Sequence, residues 1–287
     1  MSYRPYRSSQ LKLSAGRRVL GGLTMLVFLL AGCSGANDST QSSTSETANT
    51  SETANTSETA NTSETANTIV LINPNSNEDS TRSMVDLAEA ETDGVVNVVG
   101  VSNEDAPSLL TTLQDMEEAV PGVVALGVEA AKDENVVAII VSAFNDPGLE
   151  ELRAKVDIPV FGIGEEAFHA AARDDRKFGI VTVTPDENLI KSFQEKAESL
   201  GYSHLYQGVR VTPGDPKELV ESPEKLDAAL TEAVQESVRS DGVEAVIMGG
   251  GPLSAPALRI EEQFEEPLVV AVIAAIDAAL GVVNETE

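Results

Sequence analysis

Val136-Val137-Ala138-Ile139-Ile140-Val141-Ser142 runs without a polar or charged side chain until it reaches Ser142. A strand with one face in water alternates apolar and polar positions, so an unbroken apolar run predicts a strand covered on both faces, as in a parallel sheet. Short, mostly apolar runs recur at residues 69–72, 95–101, 160–163, 178–183, 205–211, 245–248 and 268–270, with Asn97, Gln207 and Arg210 interrupting two of them. Between them, apolar residues at helical spacing predict helices over 81–91, 108–131, 148–155, 165–174, 187–200, 223–239, 255–264 and 271–283. Short buried strands alternating with helices predict an α/β fold, and the two halves of the pattern look alike.

Working outward, residues 69–287 are enough chain for one sizeable domain or two small lobes. Residues 33–68 have almost no large apolar side chains, and Ser-Glu-Thr-Ala-Asn-Thr recurs four times, from Ser45, Ser51, Ser57 and Ser63. Such a segment cannot bury a core, so it is expected to be a disordered linker spanning roughly 35 Å root mean square as a flexible coil. Its Asn37, Asn49, Asn55 and Asn61, with Asn284 near the end of the chain, stand in Asn-x-Ser/Thr patterns, which are weak signals for glycosylation.

Residues 1–32 read as an export signal. Arg4, Arg7, Lys12, Arg17 and Arg18 precede an apolar run too short to span a bilayer, and no acid occurs before Asp38. Leu30-Ala31-Gly32-Cys33 resembles a lipobox, and Arg17-Arg18 resembles a twin-arginine signal, so Cys33 is expected to become an acylated N-terminus that tethers the protein to the membrane outside the cytoplasm. An uncleaved signal anchor with an idle thiol is the alternative. Cys33 is the only cysteine, so no disulfide forms within the chain.

The formal net charge of −28 repels nucleic acid and anionic lipid, so neither is an expected partner. The acids are dispersed, lysine is sparse and tryptophan absent, a composition that suits high salt; a merely acidic secreted protein is the plainer reading.

Ile72-Asn73-Pro74-Asn75-Ser76, then Ser142-Ala143-Phe144-Asn145-Asp146-Pro147-Gly148-Leu149, then Ile158-Pro159-Val160-Phe161-Gly162-Ile163-Gly164-Glu165-Glu166-Ala167 together resemble the hydantoin and allantoin racemases of the aspartate/glutamate racemase superfamily. The resemblance covers about residues 69–280. It implies two pseudo-symmetric lobes, each a parallel sheet flanked by helices, with a ligand cleft between them; the lobes are expected at roughly 69–165 plus the C-terminal helix, and at 166–268. It also implies a small-molecule ligand, no cofactor and, as in many such proteins, a homo-oligomer.

These racemases are expected to work with two cysteines, at the positions held here by Ala143 and Gly250. Neither residue carries a proton, so no catalytic residue is assigned. Ser142, Asn145 and Ser254 flank the two gaps, but an unactivated hydroxyl is a poor base near neutral pH. The ligand-binding set is expected to be Asn73, Asn75, Ser76, Ala143, Phe144, Asn145, Thr182, Gly249, Gly250 and Gly251. The asparagines and Ser76 sit where a strand gives way to a helix, and the three glycines let backbone approach a ligand, with N–H groups that can cradle an anion. The plainer readings are a turn and helix cap, and a tight strand-to-loop turn. Thr184 is a weaker candidate. Asp146 is expected to cap the helix that follows it, His169 to be packed or hydrogen-bonded, and His204 to be solvated. Two separated histidines give no metal-binding spacing. The favoured function is capture of a small amide, ureide or amino-acid-like molecule by a tethered racemase-like domain without two-cysteine activity; the runner-up is an active racemase or related isomerase or lyase with other proton carriers, and a third is a structural domain without a ligand.

Overall fold

The computed structural model describes residues 67–283; the export signal, Cys33, nearly all of the linker and Asn284 lie outside the described residues. Among the described residues, eight strands form two parallel sheets. In the first, β1 (Thr68–Asn73), β2 (Asn97–Ser102), β3 (Val136–Val141) and β4 (Val160–Gly162) lie in the order β2-β1-β3-β4. In the second, β5 (Phe178–Thr182), β6 (Tyr206–Val211), β7 (Ala245–Met248) and β8 (Leu268–Val270) repeat that arrangement as β6-β5-β7-β8. The α/β fold with two similar lobes is therefore the observed one.

The helices are α1 (Glu78–Thr92), α2 (Leu113–Ala130), α3 (Leu149–Arg153), α4 (Ile163–Ala171), α5 (Glu187–Ser199), α6 (Pro216–Val220), α7 (Pro223–Glu236), α8 (Ser254–Ile260) and α9 (Ala271–Val283). None is long and apolar enough to cross a membrane. Strand side chains alternate between faces, and both faces of β1, β3, β5 and β7 are almost wholly buried because both are covered. From β1, Val70 and Ile72 join Val123, Leu149 and Leu152 in one cluster with α2 and α3. Ile69 and Leu71 instead enter a cluster that also holds Phe178 and Ile180 of β5, Phe168 of α4 and Ile276 of α9. That middle core is shared by the two sheets. A third cluster packs Val181, Val246 and Met248 against α7 and α8.

Several boundaries differ from the sequence reading, each for a local reason. Thr68, assigned to the linker, is the first residue of β1 and pairs with Asn97 and Val136. The helix expected from residue 108 starts at Leu113. There the Thr112 hydroxyl accepts from Asp115 N, and the Asp115 carboxylate accepts from Thr112 N, a reciprocal cap that fixes the first turn. α1 begins earlier than expected because the Asn77 side chain accepts from Ser80 N at 3.0 Å. α7 ends at Glu236 in a widened turn, Ser237–Asp241, closed by Gly242 at φ 67°. The short α6 was not foreseen, although Asp215-Pro216 is a readable start signal: the Asp215 side chain accepts from Lys217 N and Glu218 N, and proline sits in the first turn.

Candidate functional site

In each sheet the chain changes direction between two neighbouring strands, β1 and β3 in the first and β5 and β7 in the second. Ligands of parallel α/β sheets bind beyond the carboxyl ends of strands at such switch points. The segments that follow these four strands converge on one cavity of about 70 Å³. Asn75, Ser142 to Asn145, Thr182 to Thr184 and Gly249 to Leu253 line it, with Leu109 and Leu110 before α2, Leu189 and Phe193 of α5, and Pro216 and Val220 of α6. The second lobe's glycine loop rests on the first lobe: a Cβ at Gly251 would lie 2.7 Å from Met84 Sδ and 3.5 Å from the Ser142 carbonyl oxygen. The space is small beside the few hundred cubic ångström usual for ligand sites, so a ring-sized ligand enters only if the facing segments part.

Eight of the ten expected ligand-binding residues line this cavity: Asn75, Ala143, Phe144, Asn145, Thr182, Gly249, Gly250 and Gly251. Asn73 and Ser76 do not. Asn73 is fully buried, and its amide is engaged within its own loop. It donates to Asn75 Oδ1 and Thr81 Oγ1, each at 2.9 Å, and accepts from Asn75 N at 3.2 Å. It therefore shapes the segment that presents Asn75. The Ser76 N–H donates to the Pro107 carbonyl at 3.2 Å.

Two of the three glycine N–H groups expected to cradle an anion are already engaged. Gly249 N donates to the Val181 carbonyl at 2.8 Å and Gly250 N to the Met248 carbonyl at 3.0 Å. Thr182 Oγ1 donates to the Gly249 carbonyl at 3.2 Å and accepts from Thr184 N, so this threonine braces the loop as well as lining the cavity. Gly250 adopts φ 147°, a conformation that glycine takes and residues with a Cβ rarely do. The polar groups left to a ligand are few. Asn75 Oδ1 accepts from Asn73 and Asn77 N, and Asn145 Oδ1 accepts from Ser192 Oγ at 2.8 Å. The Nδ2 groups of both have no partner among the described residues. No lining residue carries a side chain that titrates near neutral pH.

Asp146 does cap a helix, but not the next one. α3 follows Gly148 with no side-chain cap, whereas the Asp146 carboxylate accepts from Gly164 N at 2.8 Å and Glu165 N at 2.7 Å, at the start of α4. It also meets Lys196 of α5 in a buried ion pair. Burial pushes its pKa up, while Lys196 and the two backbone N–H groups pull it down. Sequence proximity pointed to α3; the parallel neighbourhood of β3 and β4 brings the start of α4 closer.

Behind this pair lies a second group of charges, outside the cavity lining. Arg153 holds Glu165 through both carboxylate oxygens, at 2.9 and 3.1 Å. Glu166 beside it is pushed up to about 7, chiefly by burial and then by the Glu165 charge. His169 is lowered by burial and its Nδ1 lies 2.9 Å from the Tyr202 hydroxyl. Glu165, Glu166 and His169 come within 4.8 Å of one another. The Arg153 guanidinium already occupies Glu165, and His169 Nε2 stands 3.9 Å from the same carboxylate. His204 is exposed, as expected.

Residues 69–279 match the family described as Asp/Glu/Hydantoin racemase. A hydantoin racemase of Pseudomonas sp. is 26% identical over 216 residues, covering 75% of this chain and 86% of its own. One of Rhizobium meliloti is 26% identical over 211 residues, covering 74% and 86%. Among solved structures, the allantoin racemase from Klebsiella pneumoniae superposes with a TM-score of 0.71 at 22% identity, covering 77% of this chain and 89% of that one.

Proposed function

The chain belongs to the Asp/Glu/hydantoin racemase family, and from that premise we propose that its folded part captures a small neutral amide, hydantoin or ureide in the cleft without racemising it through a cysteine pair. One observation carries this reading: the cavity lining holds no side chain that can pass a proton near neutral pH. Inverting a stereogenic carbon takes a base on one face and an acid on the other, each typically contributing about 10²- to 10⁴-fold in rate. Where the family resemblance sets two thiols, Ala143 and Gly250 offer a methyl group and a hydrogen atom. The φ of 147° at Gly250 supports the same reading, because a cysteine there would strain the loop. The uncharged lining and the net charge of −28 both disfavour an anionic amino acid as ligand.

A second reading, an active racemase or related isomerase or lyase with other proton carriers, draws on the activity named for the relatives. Deuterium exchange at the stereogenic carbon separates the two. The protein is incubated in D₂O and high salt with D- and L-5-benzylhydantoin, allantoin, aspartate and glutamate. Exchange at the buffer rate, with a rise in melting temperature on adding a hydantoin or allantoin, supports capture; exchange well above buffer that is abolished by a cleft substitution establishes catalysis.

We further propose that the domain stands outside the cytoplasm on a lipid carried by Cys33, with the chain between Cys33 and Thr68 as its spacer. The support is the sequence Leu30-Ala31-Gly32-Cys33 behind an apolar run and the repeats that follow it. Cys33→Ser is expected to move the protein from the membrane fraction to the soluble one after export. Unchanged fractionation points to an uncleaved signal anchor.

A further inference from the structure

Three buried side-chain oxygens have no hydrogen-bond partner among the described residues: Ser142 Oγ, Thr212 Oγ1 and Ser254 Oγ. Leaving such a group unpaired is costly, because it gives up its bonds to water and gains none in return. Thr212 and Ser254 lie outside the cavity lining, whereas Ser142 is one of its residues, at the carboxyl end of β3; its hydroxyl is covered in the closed cavity, so a ligand reaches it only when the facing segments part. Its backbone N–H is satisfied by the Ile72 carbonyl at 2.8 Å, which fixes the strand end, while the hydroxyl has no partner among the described residues. The same cavity is lined by Asn75 and Asn145, whose Nδ2 groups have no partner among the described residues, and by the apolar Leu109, Leu110 and Phe193.

Resting on the capture reading above, we propose that the Ser142 hydroxyl is the anchor of the ligand. It bonds the carbonyl or ring N–H edge of a neutral amide or ureide, a hydroxyl being able both to donate and to accept, while the ligand's apolar substituent lies against the leucines and Phe193. Ser142 is then a positioning residue kept at the expense of the empty protein, the trade between stability and function often found in binding sites. A hydroxyl satisfied in some other way would show neither of the two effects that follow.

The test compares the full-length protein, in mild detergent, with Ser142→Ala and Ser254→Ala, by scanning calorimetry without ligand and by titration calorimetry with 5-benzylhydantoin and allantoin. Ser142→Ala is expected to melt a few degrees higher than the parent when empty and to bind either probe about 5- to 10-fold more weakly, the loss of one neutral hydrogen bond. Ser254→Ala is expected to melt higher with unchanged affinity. If empty Ser142→Ala melts at or below the parent, the hydroxyl has a partner within the protein and the proposal falls, whatever binds. If it binds the probes as tightly as the parent, the anchor lies elsewhere. If the parent itself binds neither probe, the capture reading fails, and this proposal with it.

Discussion

Gly250, which lines the cavity, and Gly164, packed behind Phe144, show how differently two glycines constrain the chain. A Cβ on Gly250 meets nothing nearer than 3.8 Å, so the barrier to substitution is the backbone conformation alone, and Gly250→Ala is expected to cost about 1–3 kcal/mol in urea unfolding. A Cβ on Gly164 falls 1.8 Å from the Phe144 carbonyl oxygen, so Gly164→Ala should yield no folded protein. Glu166 supplies a pH prediction. Its folded value of about 7 lies above the ordinary 4.5, so the folded state holds this proton more tightly than the unfolded chain does. The resulting stability is complete below about 4.5 and is lost as pH rises through about 7. Glu166→Gln, which cannot ionise, should therefore be more stable than the parent at pH 8, with the gap closing towards pH 4. An equal offset at both pH values, in urea midpoints, contradicts the assignment. The residues that carry the family resemblance were readable one by one, but the role of Asn73 was not: a buried amide facing Thr81 and a cavity-facing amide look the same in the sequence.

Among the elements, the run from residue 136 to 142 predicted β3 because covering both faces leaves no polar position to disturb its period. Helix starts were harder, since a cap is decided by a few hydrogen bonds that compete with the hydrophobic pattern; Thr112 and Asp115 overrule the apolar residues before them. Removing that cap by Thr112→Ala should cost about 1 kcal/mol, measured by denaturant unfolding. The junction of α4 and α5 is a larger matter. Asp146 caps α4 and pairs with Lys196 of α5, with side chains 2% and 17% exposed, while Asn145 meets Ser192 and Phe144 stands edge-on to Phe193 at 5.1 Å. These contacts fasten α5 to the segment that lines the cavity. Asp146→Ala strips the cap and strands a buried ammonium group, so a loss of about 3–5 kcal/mol is expected. Asp146→Asn, which keeps an acceptor for the backbone N–H groups, should lose less. Equal losses in both variants would show that the ion pair, and not the cap, is what matters.

For the whole molecule, charge and composition act without reference to the fold. A net charge of −28 repels itself in the compact state, and screening shortens that repulsion to about 3 Å at 1 M salt, so the melting temperature should climb between about 0.1 and 2 M KCl. A flat salt response in calorimetry argues against adaptation to high salt. The repeated strand order of the two sheets, by contrast, is a property of the assembled chain, as is the middle core through which they share α4 and α9. The sequence by itself determined the α/β class, the eight strands and the absence of thiols beyond Cys33, because periodicity and residue identity are local. Only the tertiary structure decided that Asp146 belongs to α4, that two glycine N–H groups are already bonded and that Ser142 stands unpaired in the cleft. Hydrogen-bond partners come from segments far apart in the chain, and no spacing within one segment records which of them will meet.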